Sequence, residues 1–322
     1  MEQDQREAKS WQILEKLALS SIIEQRRKRR WGIFFKCLGF LYLFVLLGFY
    51  VMPMLGDLGS VTKNEKFTAL VEIKGIITAN EAASADKIVG ALRRAFSNEN
   101  TAAVILRINS PGGSPVQSGY VYDEIKRLRT KHPNIKVYAV IADLGASGAY
   151  YIASAADEIY ADKASLVGSI GVTATTFGFV DAINKLGIER RTYTAGAHKS
   201  FLDPFKPMQK SETDFWQNVL NVTHQQFITS VKNGRGERLK FNEYPEVFSG
   251  LIWSGEQALE LGLIDGLGSS SFVAREKVGV EDIVDFTSKE SPMEKFAKAL
   301  GTKVAAELAL HLGLNSAYPN LR

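Results

Sequence analysis

The tripeptide Ala146-Ser147-Gly148 stands where an apolar run, "IKVYAVIAD" (135–143), passes through small residues into a helical pattern, so the Ser147 hydroxyl sits at a strand-to-helix turn. A serine raised on such a turn can attack an acyl carbon, as at a nucleophile elbow, although "GASGA" is not the G-x-S-x-G pattern. Attack builds an oxyanion, which must be met by N–H donors. The N–H of Gly148, next in the chain, is one candidate. That of Gly113, in "INSPGGS" (108–114), is the other, because glycine lets the backbone approach a ligand and the helix that follows adds positive potential. These glycines fit neither the P-loop spacing nor the dinucleotide fingerprint. Read alone, each turn is equally a tight structural junction.

A serine hydroxyl needs a base, and the chain offers four histidines. His132 lies in a Lys-His-Pro turn, His224 inside a long helical pattern and His311 in the C-terminal one, all positions of ordinary structural or solvated histidines. His198 in "YTAGAHKS" (193–200) could pair with Ser147, but no acid has an evident orienting role. Lys199 is the rival. A lysine acts as a base only if its ammonium, ordinarily titrating near 10.4, is brought toward neutrality, at a cost of roughly 4 kcal/mol that apolar burial supplies.

The elements that must position these residues follow an alternating pattern. "FTALVEIKGIIT" (67–78) reads as a strand, Ala85, Ile88, Val89, Leu92 and Phe96 share one helical face, and "AAVILRINS" (102–110) is a buried strand. Ser114 and Pro115 suit the N-cap and first position of a helix over 115–130, ahead of the strand at 135–143. "EIYA" (158–161), "GVTATTF" (171–177), a helix ending at Gly187 and "IERRTYT" (188–194) extend the alternation, and a long helix is predicted over 211–232 with Ser211 and Asp214 as its capping signal. "SGEQALELGLIDGLG" (254–268) reads as a capped helix, a turn and a short strand. The fold class is therefore α/β with a largely parallel sheet.

Charge and hydropathy divide the 322 residues. The net charge is +4, and residues 1–30 hold eight Lys/Arg against five Asp/Glu, so the remainder is nearly neutral and nucleic-acid binding has little support. The lone Cys37 can form neither an internal disulfide nor a zinc cluster. Arg26, Arg27, Lys28, Arg29 and Arg30 precede an uncharged run from Cys37 to Leu55, long enough at 1.5 Å per residue to cross about 30 Å of hydrocarbon. The basic cluster predicts a cytoplasmic N-terminus and an exported remainder, with Trp31, Tyr42 and Tyr50 among the interface anchors. A cleaved signal peptide is the competing reading, opposed by the long leader and by the lack of an A-x-A-like site near Leu55–Asp57. Apolar spacing over 8–25 fits a surface-lying or a solvated amphipathic helix. The expected layout is a cytoplasmic segment (1–30), anchor (31–55), tether (56–66), catalytic domain (67–285) and helical tail (286–322).

"SPGG", "DLGASGAYYIASAADEIYA", "GSIGV", "YTAGAHKS" and "LIDGLG", in this order, resemble the signal peptide peptidase A family of serine peptidases, family S49, in its short single-copy form. The resemblance spans roughly residues 67–270. It implies a ClpP/crotonase-like fold of repeated ββα units and a Ser-Lys dyad: Ser147 as nucleophile, Lys199 as general base, Ser169 holding the lysine amine, and Gly113 and Gly148 as oxyanion donors, with no cofactor or metal. It further implies a ring-like homo-oligomer whose dyads form between subunits, anchored in a bacterial cytoplasmic membrane and acting on remnant signal peptides and other unfolded apolar peptides. Ala149 stands where many relatives carry glycine, a small change in a helix. A crotonase-like enzyme of acyl thioesters, or an inactive scaffold of the same fold, are the alternative readings.

Overall fold

The computed structural model describes residues 24–48 and 65–288, in two separate units. In the first, helix α1 (Glu24–Gly48) has 25 residues and contains an 18-residue stretch with a mean hydropathy of 1.9, long and apolar enough to cross a bilayer by length and composition. The expected amphipathic helix before residue 24, the rest of the apolar run with Tyr50, most of the tether and the tail from 289 lie outside the described residues.

The second unit is built on one sheet. Strands β1 (Phe67–Lys74), β2 (Thr101–Ser110), β3 (Lys136–Ala146), β4 (Glu158–Ala161), β5 (Leu166–Gly168), β6 (Ile252–Ser254), β7 (Gly266–Leu267) and β8 (Ile283–Asp285) run in the order β6-β5-β3-β2-β1-β8, with β4 pairing β3 and β7. Every pairing is parallel except β5 with β6. The helices between strands are α2 (Ala85–Ser97), α3 (Pro115–Lys131), α4 (Gly148–Ala153), α5 (Val180–Lys185), α6 (Lys210–Arg235) and α7 (Gly255–Glu260). This is the expected α/β class, a ClpP-like domain preceded in the chain by a single apolar helix.

The period of two explains the burial. Val71, Ile73, Leu106, Ile108, Ala139 and Ile141 join the large core with the helices, whereas Leu70, Ile105, Tyr138 and Val140 fill a smaller core on the opposite face against Val273 and Ala274. Both faces are covered, so the strands read as continuous apolar runs.

Strand β3 divides its pairing. Tyr138–Ile141 pairs with β4, while Leu144–Ala146 pairs with β5, after a register shift in which Ile108 opposes Ile141 but Ser110 opposes Gly145. The two extra residues on β3 bend it, and its end is carried onto a second line of strands. Ser147 follows directly.

Two helix ends matter for the site. Ser114 caps α3, its Oγ accepting from Gln117 N (3.3 Å), with Pro115 at the first helical position as expected. Helix α6 is fastened at its C-terminus, where buried Arg235 donates to both oxygens of Asp265 (2.6 and 2.9 Å) and to Gly262 O (3.0 Å).

Three expectations are corrected. Residues 171–177 and 188–194, read as strands, are largely exposed chain without regular secondary structure and with no strand partner within the described residues, and only α5 between them is regular. The cap of α6 is Gln209 rather than Ser211, without a side-chain capping bond: the helix begins at Lys210, which places Ser211 inside its first turn, and Asp214 pairs with Lys210 (2.7 Å). β1 ends at Lys74, and Ile77 makes a separate bridge.

Candidate active site

Ser147 has φ 53° and ψ −126°, a region that costs a non-glycine residue about 1–3 kcal/mol. The conformation is held from both sides: its N–H donates to Gly168 O (2.9 Å), and its carbonyl accepts from Tyr151 N (3.0 Å). The turn thereby ends β3, begins α4 and lifts the hydroxyl out of the sheet.

The glycine turn of 110–114 packs against this elbow. A β-carbon on Gly112, whose φ is +93°, would stand 2.7 Å from Ala146 O and Gly148 N. No side chain fits there. Ile77 N donates to Gly112 O (2.9 Å) and Ile77 O accepts from Ser114 N (2.8 Å), a parallel bridge that uses the peptide groups on either side of Gly113. In such a bridge Gly113's own N–H turns away from Ile77. Neither that N–H nor the N–H of Gly148 donates to a protein acceptor among the described residues. Two free amides thus flank Ser147, one of them at the start of α4.

Ser169 follows β5 and also has a positive φ, 50°. Its N–H donates to Leu251 O (2.7 Å) and its carbonyl accepts from Gly171 N (2.9 Å), which leaves the side chain as its variable part. Ser147, Gly148, Gly113 and Ser169 line one cavity of about 790 Å³, a trench between α3 and α6. Tyr151 and Phe227 form part of its wall, with ring centroids 5.1 Å apart. Four of the five residues singled out from sequence therefore share one space.

Lys199 does not line it. It lies in an exposed turn, its N–H donating to Gly196 O (3.2 Å), and its amine has no partner among the described residues; His198 beside it is exposed as well. The segment that carries it is tied to itself: Arg190 pairs with Asp203 and lies over the Phe205 ring at 4.7 Å, and Phe179 N donates to Pro204 O (2.7 Å). His224 makes a contact with Ile170 O (3.0 Å), next to Ser169, and belongs to the helix packing. Among the described residues, no three His, Cys, Asp or Glu side chains converge as a metal site requires.

Sequence reasoning missed Ser118. Its hydroxyl is fully buried, has no hydrogen-bond partner among the described residues and presses against Gly148. A serine four residues past the Ser114 cap carries no local signal of that contact. Gly112 was visible as half of a glycine pair, and its close approach to Ser147 is what the pair provides.

Residues 129–280 match the model of Peptidase family S49, a span that holds Ser147, Gly148, Ser169 and Lys199 and leaves Gly113 outside. The chain is 45% identical over 190 residues to a Na(+)/H(+) antiporter NhaA of Brucella abortus, a match covering 59% of this chain and 25% of that one. It is 31% identical over 205 residues to Protease 4 of Haemophilus influenzae, covering 62% of this chain and 32% of the other. A "Putative protease" of Synechocystis sp. is 32% identical over 208 residues, covering 65% of this chain and 72% of its own. The chain thus spans only a quarter to a third of the Brucella and Haemophilus relatives, but most of the Synechocystis one. With that coverage, and with the family's model lying across the elbow serine and the lysine segment alike, this chain belongs to peptidase family S49.

Proposed function

We propose that the protein is a membrane-anchored serine endopeptidase in which Ser147 is the nucleophile and Lys199, from a neighbouring copy of the chain, is the general base. The observation that carries this reading is the strained elbow of Ser147 flanked by the two free amides of Gly113 and Gly148 in one cavity. The neutral Lys199 amine takes the Ser147 proton as Oγ bonds to the peptide carbonyl carbon, and the oxyanion is received by the two N–H groups. Collapse breaks the C–N bond, the leaving amine takes the proton back from Lys199, and water then releases the acyl group by the same steps. Ser169 holds the lysine amine in line.

A lysine supplied by a neighbour accounts for two features. Lys199 is exposed and does not line the cavity of its own chain, whereas another subunit's cavity would bury it. The segment around it also displays apolar side chains without cover, Phe177 at 72% and Tyr193 at 90% exposure among them. Such a patch marks an interaction surface. The substrates would be remnant signal peptides and other unfolded apolar peptides, reached on the exported side of a bacterial cytoplasmic membrane with the N-terminus and its basic cluster inside.

The test is active-site labelling of the detergent-solubilised full chain with a fluorophosphonate, read by mass spectrometry. Label on Ser147, absent from Ser147→Ala, supports the reading. A folded protein that takes no label favours the inactive scaffold.

A further inference from the structure

Resting on that peptidase reading, the geometry of the trench points to a substrate class: we infer that the cavity beside Ser147 takes a Lys or Arg side chain at the residue preceding the cleaved bond, with Asp123 as its counter-charge. Pro115, Val116, Gly119, Tyr120 and Asp123 lie at i, i+1, i+4, i+5 and i+8 of α3 and line one wall from end to end. Pro115 adjoins the Gly113 amide, so Asp123 lies about 12 Å along the helix from the oxyanion end, at 1.5 Å per residue. The carbonyl held by Gly113 and Gly148 belongs to the residue before the cleaved bond. Its side chain enters the trench there, and only a long one reaches Asp123.

Two observations select a cation. Among the described residues, Asp123 is the one charged residue lining the cavity, whose other polar groups are neutral hydroxyls, an amide and backbone. Its carboxylate has no hydrogen bond or ion pair with any described residue, and Arg127, one turn on, is engaged with Glu124 (2.6 Å). The walls between are Tyr120, Tyr151 and Phe227, suited to the methylene stem of a basic side chain that carries its charge beyond them.

Gly119 supplies an independent argument. A glycine inside a helix costs about 1 kcal/mol relative to alanine. Here neither usual compensation applies: its φ is not positive, and a β-carbon would meet nothing within 4 Å. Packing among the described residues does not require this glycine. Its effect is to leave the middle of the wall open, on the path from Ser147 to Asp123.

The test uses three matched fluorogenic peptides, differing only in Lys, norleucine or Ala before the cleaved bond, with the full chain in detergent. The expected result is a higher kcat/KM for the Lys peptide, with the Lys-to-norleucine ratio falling about tenfold in Asp123→Asn, the size of a lost charge-assisted contact. Gly119→Leu should lower the rate with Lys relative to a matched Ala peptide. A ratio unchanged in Asp123→Asn, a wild-type preference for norleucine, or an equal loss on both peptides overturns the inference. In those cases Ser147 still labels with fluorophosphonate and the peptidase reading stands; absence of both labelling and cleavage overturns the two together.

Discussion

The Oγ of Ser118 and the backbone of Gly148 are in such close contact that a β-carbon added to Gly148 would stand 2.3 Å from that oxygen, but 3.4 Å from the Ser118 β-carbon. The obstacle to a side chain at the turn after Ser147 is thus a single atom. Gly148→Ala should destabilise the protein by about 1–3 kcal/mol, as overpacking does. Ser118→Ala, which removes a buried hydroxyl without a partner among the described residues, should be neutral or stabilising. Combined, the two substitutions should recover most of the loss, a coupling of about 1–2 kcal/mol by double-mutant cycle. Thermal unfolding of the four proteins checks this, and additive effects would show that the clash is relieved elsewhere.

Replacing Ser147 separates strain from chemistry. Ser147→Ala keeps the positive φ and its cost, whereas Ser147→Gly adopts the same backbone without the steric penalty. Both should be inert toward a fluorophosphonate, and the glycine variant should be the more stable by about 1 kcal/mol, the strain relieved less the added chain entropy. Denaturation midpoints give the comparison.

A site completed by a neighbour predicts complementation. Ser147→Ala and Lys199→Ala should each abolish cleavage, and dissociating and reassembling them as a 1:1 mixture should restore about a quarter of the wild-type rate, since one pairing in four joins an intact serine to an intact lysine across a head-to-tail contact. No recovery in verified mixed assemblies would place the base within the same chain.

Glu124 gives a pH signature away from the cleft. Hydrogen bonds from Arg127, opposed by burial and reinforced by Arg93, hold its carboxyl at about 2, against an ordinary 4.5. A depressed carboxyl stabilises the fold above its unfolded value and loses that contribution as pH falls toward its folded one. Glu124→Gln should therefore cost about 2–3 kcal/mol at pH 7, allowing for the solvent-exposed arginines, with the deficit shrinking between pH 4.5 and 2. Urea unfolding at several pH values reads the convergence.

What the sequence disclosed follows from which interactions are local. The buried strands announced themselves because both faces of the sheet are covered, and the Ser114-Pro115 signal was sufficient because a cap is made within one turn. Ser147 was visible from the change of composition at the end of β3. "IERRTYT" has the residue types of a strand, yet a strand also needs a neighbour to receive its hydrogen bonds, and residues 188–194 have none within the described chain. The split pairing of β3, the Ser118–Gly148 contact and the position of Asp123 in the trench are relations between distant segments, which no local pattern encodes.

Helix α6 is about 39 Å long at 1.5 Å per residue, and its three parts have different neighbours. It begins eleven residues after Lys199 with an exposed first half that includes Phe215, supplies Thr223, Gln226 and Phe227 to the trench, and ends at the buried Arg235–Asp265 pair. Mechanically it is a lever with its fulcrum at the far end. A displacement of the segment that carries Lys199 would reach the trench as a tilt of the same rod, so trench width and the position of that segment would vary as one coordinate. Amide hydrogen exchange along α6 should rise from the fulcrum toward the N-terminal end, with the steepest change at the residues that face the trench.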